Sequence, residues 1–130
     1  MWGYNINFKE LQGKVFVDVE VEINKNGKDD EIIFTCHDGE KYKMYHWQNC
    51  CESVTIEEII GNMDNLLNSE ILLAEETTNH ENSKDDWHES FTWTFYKLST
   101  IKGDVTIRWY GESNGYYSEE VSLEKIEGDE

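Results

Sequence analysis

The residues best suited to ligand chemistry lie between positions 91 and 117, where aromatic side chains accompany the single arginine of the chain, Arg108. A nucleotide needs a ring on which its base can stack, directed hydrogen bonds and a cation for its phosphate. The side chains that could provide these contacts are Phe91, Trp93, Tyr96, Arg108, Ser113, Asn114 and Tyr116. The alternative is that most of these rings form the core and that Arg108 pairs with one of many carboxylates. Composition alone favours this alternative.

Cysteine and histidine side chains raise two further possibilities. Five of them could supply zinc ligands, namely Cys36, His37, His46, Cys50 and Cys51. Structural zinc sites usually contain cysteine pairs separated by roughly two to four residues, a spacing missing here, so we predict no metal. His46 and Cys50 could instead form a nucleophile with its base, oriented by Glu52. The sequence shows no glycine-rich nucleophile turn, so we expect no catalytic residues, no enzyme activity and no cofactor.

The charge of the chain limits its partners. Its 130 residues have a formal net charge of −17 at neutral pH. Nucleic-acid binding requires a basic face, which the sequence lacks, so we expect no nucleic-acid partner. High charge can simply maintain solubility, but it can also imitate DNA phosphates. Residues 75–89 and 118–130 each contain six acidic residues against one lysine. An acidic inhibitor of a nuclease or other DNA-binding defence protein is therefore the alternative function.

The length and hydropathy of the chain predict its organisation. The sequence is long enough for one domain, 1–130, with an acidic tail from about 118–130 that is partly flexible. No apolar run reaches the roughly 18 residues that a membrane span needs. The N-terminus lacks the basic and apolar regions of a signal peptide. We therefore expect a cytoplasmic protein with no membrane partner.

The elements that must position the candidate site residues are strands. Aromatic and β-branched residues alternate with polar ones in 91–98 and again in 105–110. Such alternation is typical of half-buried β-strands. The two segments predict an antiparallel hairpin in which Arg108 lies on one face beside Tyr110 and Tyr96.

The first 47 residues predict a three-stranded meander, preceded by a helical turn in 5–13. Glycine and asparagine or aspartate in 24–27 and 38–39 mark its two hairpin turns. Alternation in 14–23 predicts one apolar face and one wet face. The residues predicted to face inward are Val15, Val17, Val19, Val21 and Ile23, and those predicted to face water are Phe16, Asp18, Glu20 and Glu22.

The second half of the chain adds helical signals. Thr55 to Glu58 fits a capping box and predicts a short helix. A second helical turn is predicted in 62–69, and strands are predicted in 71–78 and 116–126. Residues 77–89 are almost devoid of apolar side chains and predict a mobile loop. The predicted fold is α+β, a mainly antiparallel, twisted sheet of about seven strands with one or two short helices.

Long motifs in the chain resemble a family of small proteins encoded by phages and prophages. The resemblance runs from about Ile33 to Val121 and includes YHWQNCCESV and IRWYGESNGYYSE. This family is similar to the Thoeris anti-defence proteins. The resemblance implies a sponge that binds cyclic ADP-ribose-type signals, made by bacterial TIR enzymes, without cleaving them. It also implies an oligomer built from dimers, and relatives that hold cyclic oligonucleotides.

The expected function is therefore phage counter-defence by sequestering a cyclic nucleotide signal in the host cytoplasm. In this hypothesis Phe91 or a neighbouring ring stacks on adenine and Arg108 contacts phosphate. Asn114 and Ser113 bind ribose or base. Backbone N–H groups in 111–115 and at the predicted helix start, Thr55, can add phosphate donors. The lysines that could add charge are Lys41, Lys43 and Lys97.

Overall fold

The computed structural model describes residues 3–23, 29–48, 51–82, 90–115 and 117–126. Within these ranges nine strands form two antiparallel sheets. The strands are β1 (Gly3–Asn5), β2 (Phe16–Glu22), β3 (Glu31–Cys36), β4 (Lys41–Tyr45), β5 (Ser53–Ile60), β6 (Leu73–Asn82), β7 (Ser90–Thr100), β8 (Gly103–Ser113) and β9 (Ser122–Ile126). The five-stranded sheet has the order β1-β9-β4-β3-β2, and the four-stranded sheet has the order β5-β8-β7-β6. In the described ranges, no helix is both long and apolar enough to cross a membrane.

The two sheets share one hydrophobic core. Its fully buried members include Ile32, Phe34 and Met44 from the five-stranded sheet and Leu98, Ile107 and Trp109 from the four-stranded sheet. The indole Nε1–H of Trp109 donates to Met44 Sδ at 3.3 Å, and the backbone N–H of Ile56 donates to Asp30 Oδ2 at 2.7 Å. Because side chains alternate along a strand, each strand gives one row to this core and presents the other row outward. The chain is therefore a β-sandwich.

Residues 53–60, for which the capping box predicted a helix, form a strand. β5 pairs antiparallel with β8, and Val54 and Ile56 lie in the core. The helix prediction is wrong because β-branched side chains on alternate positions fit the sheet, and pairing with β8 overrides a local capping signal. In the described part of the chain the helices are short 3-10 turns. The α+β prediction is therefore corrected to a β-rich fold, with nine strands in place of about seven.

Two 3-10 helices occur where helical turns were predicted, Phe8–Leu11 and Met63–Leu66. Asn7 caps the first helix by accepting from the backbone N–H of Lys9 at 3.0 Å. Glu10 Oε2 accepts from the Asn7 N–H at 3.2 Å, which completes a capping box. The first helix buries Phe8 and Leu11, so it covers one end of the core.

The meander of β2, β3 and β4 is confirmed, but one bulge changes the faces of β2. The ladder with β3 shifts between Phe16 and Asp18, so Val17 is the extra residue and is 43% exposed. Phe16, predicted to face water, is fully buried, whereas Val19 and Val21 pack against the core as predicted. A bulge places two residues opposite one, which reverses the alternation on one side of it. The predicted turn at 24–27 lies outside the described residues.

β6 is longer than its sequence predicted. Residues 77–82, predicted to begin a mobile loop, continue the strand, which pairs with β7 along its whole length. Backbone ladder bonds do not require apolar side chains, so the polarity of this segment did not reveal the strand. Residues 83–89 lie outside the described residues. In the predicted tail, β9 pairs with β4 and β1, and 127–130 lie outside the described residues.

Candidate functional site

The β7–β8 hairpin divides the predicted site residues between two sides of the four-stranded sheet. Trp93 pairs with Tyr110, and Phe95 pairs with Arg108. These positions face outward, whereas Tyr96 is 3% exposed and faces the core. The prediction that Arg108 lies beside Tyr110 is confirmed. The prediction that it lies beside Tyr96 is wrong, because Tyr96 follows Phe95, the cross-strand partner of Arg108, and consecutive residues point to opposite faces.

Three half-buried rings form a cluster on the outer side, which we call the aromatic face: Phe91, Trp93 and Tyr110. The ring of Tyr110 lies 6.5 Å from that of Phe91 at 17° and 5.1 Å from that of Trp93 at 50°. Tyr110 Oη donates to Glu112 Oε1 at 3.0 Å. Burial, together with this bond, raises the pKa of Tyr110 to about 12. The outer positions of a sheet with one solvated face are usually polar, so an aromatic cluster there is unusual. Because its rings are partly exposed, the cluster can accept a stacked ring.

Two consecutive carboxylates hold Arg108 beside the aromatic face. Arg108 Nη2 donates to Glu58 Oε1 at 2.7 Å. Arg108 Nε is buried and lies 2.8 Å from Glu57 Oε1, without hydrogen-bond alignment. Consecutive side chains normally point to opposite faces, but a bulge between Ile56 and Glu58 lets both carboxylates approach the same guanidinium. This geometry agrees with the alternative that Arg108 pairs with carboxylates.

The other predicted site residues lie away from the aromatic face. Ser113 Oγ donates to Glu119 Oε2 on the inner side and accepts from the backbone N–H of Gly115 at 3.0 Å. Asn114 is exposed after the end of β8. Tyr116 lies outside the described residues. Thr55 lies in β5, so the predicted helix N-terminus for phosphate is absent there.

A polar pocket of about 580 Å³, which the sequence did not predict, lies on the inner side of β6 and β7. This inner pocket is bounded by the two strands, by Gly115 and by 117–121. Along the inner row of β7, the core residues Leu98 and Tyr96 give way to Thr94, Thr92 and Ser90. The inner row of β6 changes in the same direction, from Ala74 to Glu76, Thr78 and His80. Polar residues at inward positions were the available signal, but reading it required the strand register.

A hydrogen-bond chain crosses the inner pocket. Thr92 Oγ1 donates to Glu119 Oε1 at 2.6 Å. Since the Thr92 hydroxyl proton points to Glu119, Thr92 Oγ1 accepts from His80 Nδ1–H at 2.8 Å. The Glu119 carboxylate is only 9% exposed and accepts from the hydroxyls of both Thr92 and Ser113. These hydrogen bonds therefore fix the segment 117–121 against β7 and β8.

His46 secures the same segment from the five-stranded sheet. Its Nδ1 lies 2.7 Å from the Glu120 carbonyl oxygen, and its Nε2 lies 2.7 Å from Glu52 Oε2. The carbonyl only accepts, so Nδ1 donates, and a second proton must lie between Nε2 and Glu52. Both side chains are buried. His46 thus acts as a clamp.

Cys51 is disulfide-bonded, so it is not a thiolate nucleophile in this state.

One group in the described residues brings three potential metal ligands together: Cys36, Asp38 and Glu40. Burial raises the pKa of the Cys36 thiol to about 11. Glu40 is bonded by Lys14 at 3.3 Å and by Lys125 at 2.8 Å. Hydrogen bonds from Lys125 and Tyr42 lower the pKa of Glu40 to about 2. Two ammonium groups therefore already neutralise the carboxylate that a metal ion would need.

The described residues define a class of protein: a β-sandwich with an aromatic face on the outside of one sheet and a polar pocket on the inside of the same sheet. The chain belongs to the family described as a domain of unknown function (DUF7448), whose model matches residues 9–123. That range contains the aromatic face, Arg108 and the inner pocket. No curated protein and no solved structure matches the chain.

Proposed function

We propose that this protein is a phage counter-defence factor that sequesters a cyclic nucleotide signal of the cyclic ADP-ribose type in the host cytoplasm without cleaving it. The observation that carries the proposal is the position of the aromatic face beside Arg108 on one exposed sheet surface. The sequence resemblance to Thoeris anti-defence proteins supplies the ligand class.

The aromatic face supplies the stacking surface. Trp93 lies directly opposite Tyr110, and Phe91 lies two residues away on the same strand, so a flat base can contact one ring while its edge remains open to solvent. Stacking of a base on an aromatic side chain contributes about 1–3 kcal/mol and tolerates any base. This explains how one surface could hold cyclic ADP-ribose and also cyclic oligonucleotides.

Arg108 can contact the ligand phosphate if it exchanges its carboxylate partners. The side chains of Glu57 and Glu58 are 42% and 51% exposed, and that of Arg108 is 31% exposed. Ion pairs this accessible contribute only about 0–1 kcal/mol each. A phosphate that accepts two guanidinium N–H bonds can therefore replace them.

The experiment is a calorimetric titration with cyclic ADP-ribose isomers and with cyclic di- and trinucleotides. We expect saturable binding that Trp93→Ala and Arg108→Ala each weaken at least tenfold, with circular dichroism showing intact sheets. Heating the complex and analysing the released ligand by mass spectrometry should return it unaltered. Altered ligand would make the protein an enzyme, and no binding across the panel would overturn the proposal.

The carboxylates around Arg108 separate this proposal from the alternative of an acidic DNA mimic. Glu57→Gln with Glu58→Gln removes two competitors for the guanidinium and should tighten cyclic nucleotide binding roughly threefold to tenfold. Glu20→Gln with Glu22→Gln, on exposed positions of β2, changes the net charge equally and is the control. Equal effects of the two double variants on cyclic nucleotide binding would mean that only the net charge of the protein matters.

No observation on the described residues favours DNA mimicry by the two acidic segments. Glu75 faces outward from β6, opposite Lys97, whereas Glu76, Glu119 and Glu120 line the inner pocket. These carboxylates point to different sides of the sheet, so they do not form one phosphate-like row.

The proposal includes the oligomer of dimers that the resemblance implies. A dimer would bring a second Arg108 near the ligand and double the available guanidinium charge. Light scattering of the purified protein, with and without cyclic ADP-ribose, measures the assembly. A monomer in both samples would remove this part of the proposal and leave the binding site of one chain to be tested alone.

A further inference from the structure

The inner pocket has features of a second binding site, separate from the aromatic face. Its volume of about 580 Å³ falls within the range of roughly 300–1,000 Å³ typical of small-molecule sites. Its walls come from regular strands on one side and from 117–121 on the other. The hydrogen bonds of Glu119 and the His46 clamp hold the second wall in place.

One buried polar group in this pocket is a carboxylate whose charge has no cationic partner in the described residues. Glu119 is 9% exposed, and its two oxygens accept from the hydroxyls of Thr92 and Ser113. Hydroxyls satisfy the oxygens but supply no positive charge. The ion pairs of lysine and arginine in the described residues all involve other carboxylates. Burying a carboxylate without a countercharge is costly.

Two further carboxylates make the pocket rich in hydrogen-bond acceptors. Glu76 and Glu120 line it, and Tyr96 Oη is a long 3.5 Å from Glu76 Oε2. Although Glu76 remains partly exposed, desolvation, and then the charge of Glu120, raise its pKa. His80 also lines the pocket but reaches Glu119 only through the Thr92 hydroxyl. Among the described residues, the lining contains neither lysine nor arginine, so its carboxylates would repel an anion.

Glu40 is an example in the same protein of a carboxylate that is neutralised by positively charged partners. Glu40 accepts bonds from two ammonium groups, those of Lys14 and Lys125, and its pKa is lowered. The pKa of Glu76 is shifted in the opposite direction. The contrast indicates that, in the described residues, the inner pocket lacks a positively charged group to pair with its carboxylates.

We propose that the inner pocket binds a small organic cation with several N–H donors, such as a linear polyamine, through Glu119, Glu76 and Glu120. Several ammonium groups a few carbons apart suit this pocket better than one metal ion. In the described residues, the carboxylates that line the pocket do not form a group with ligand atoms close enough to hold a metal. The hydroxyls along β7 then accept or donate the remaining hydrogen bonds.

The test is a calorimetric titration of the full chain with spermidine at physiological salt, where non-specific attraction to the acidic surface is screened. We expect one saturable site. Glu76→Gln and Glu120→Gln should each weaken spermidine binding roughly fivefold. Glu75→Gln, on the outer face of the same strand, loses the same charge and should leave binding unchanged.

Three outcomes would overturn this inference. One is no saturable spermidine binding. Another is equal weakening by Glu75→Gln and Glu76→Gln, which would mean attraction to the whole surface. The third is equally strong binding of a neutral polyol such as sorbitol, which would mean that charge does not select the ligand. None of these outcomes bears on cyclic nucleotide binding, which uses the opposite side of the sheet.

Discussion

The two sides of the β7–β8 hairpin show how one alternating sequence produces two surfaces with opposite preferences. On the outer side, aromatic rings lie beside Arg108, whose positive charge two carboxylates neutralise. On the inner side, the apolar core continues into a pocket where Glu119 has hydroxyl partners but no cation in the described residues. We propose that the outer side accepts a stacked ring with a phosphate and that the inner side accepts a cation. Both follow from side chains of one hairpin pointing in opposite directions.

The largest expected difference between the two sides concerns their tryptophans. Trp109 is fully buried and bonded to Met44, so Trp109→Ala should lower the free energy of unfolding by about 3–5 kcal/mol. Trp93→Ala removes a half-exposed ring and should cost about 1 kcal/mol. Urea unfolding at neutral pH measures both. Similar losses would mean that the outer rings are as essential to the fold as the core.

Two glutamates provide the next comparison. Glu52 belongs to a buried pair with His46, whereas Glu58 belongs to an accessible pair with Arg108. Glu52 is 4% exposed and bonded to buried His46, so Glu52→Gln should cost about 3 kcal/mol. Glu58→Gln weakens the accessible pair with Arg108 and should cost about 0.5 kcal/mol. The same urea titrations measure this difference. If the Glu52→Gln variant were as stable as the wild type, the role of His46 as a clamp would be contradicted.

Gly111 tests the inner side without changing any charge. A Cβ at this position would lie 2.9 Å from Glu119 Cβ and 3.2 Å from Val54 Cγ2. Gly111→Ala should therefore displace the segment that carries Glu119 and cost about 1–3 kcal/mol. Spermidine binding should fall, while binding at the aromatic face should persist. Calorimetry with spermidine and with cyclic ADP-ribose measures both, and unchanged spermidine affinity would contradict the placement of 117–121.

The remaining comparison concerns two pH dependences of opposite sign. The pKa of Glu40 is about 2 in the folded protein, below its ordinary value of 4.5, so its bonds stabilise the fold above that value and are lost as pH falls toward 2. Folding raises the pKa of Glu76, so its ionisation destabilises the fold as pH rises above 4.5.

These signs predict how two variants behave. Glu40→Gln should be less stable than the wild type at pH 7, and the difference should shrink between pH 4.5 and 2. Glu76→Gln should be slightly more stable at pH 7, and its advantage should vanish in acid. Thermal melts across this range check both predictions. The same sign for both variants would contradict the assigned environments.

Much of the sheet could be predicted from alternation alone. The strands of the meander and of the hairpin follow directly from aromatic and β-branched residues at every second position. The side of Tyr96 relative to Arg108 could not, because it depends on which residues pair across two strands. The helix predicted at Thr55 failed for a related reason, since a local capping pattern competed with pairing to β8.

The bulges and the pocket could not be predicted from the sequence, for the same physical reason. The bulges at Val17 and Glu57 exist only relative to a partner strand, and each one changes which side chains share a face. The inner pocket forms only where β6, β7 and 117–121 lie together. Alternation identifies the strands, but it does not say where a distant segment crosses them.

The central claim is that a cyclic nucleotide binds on the aromatic face. The most direct measurement is a titration of 15N-labelled protein with cyclic ADP-ribose, following the indole N–H signals, with Trp93→Phe and Trp109→Phe used for assignment. We expect the Trp93 signal to shift in a saturable way while that of buried Trp109 stays in place. A shift at Trp109 without one at Trp93, or no shift at either, would contradict it.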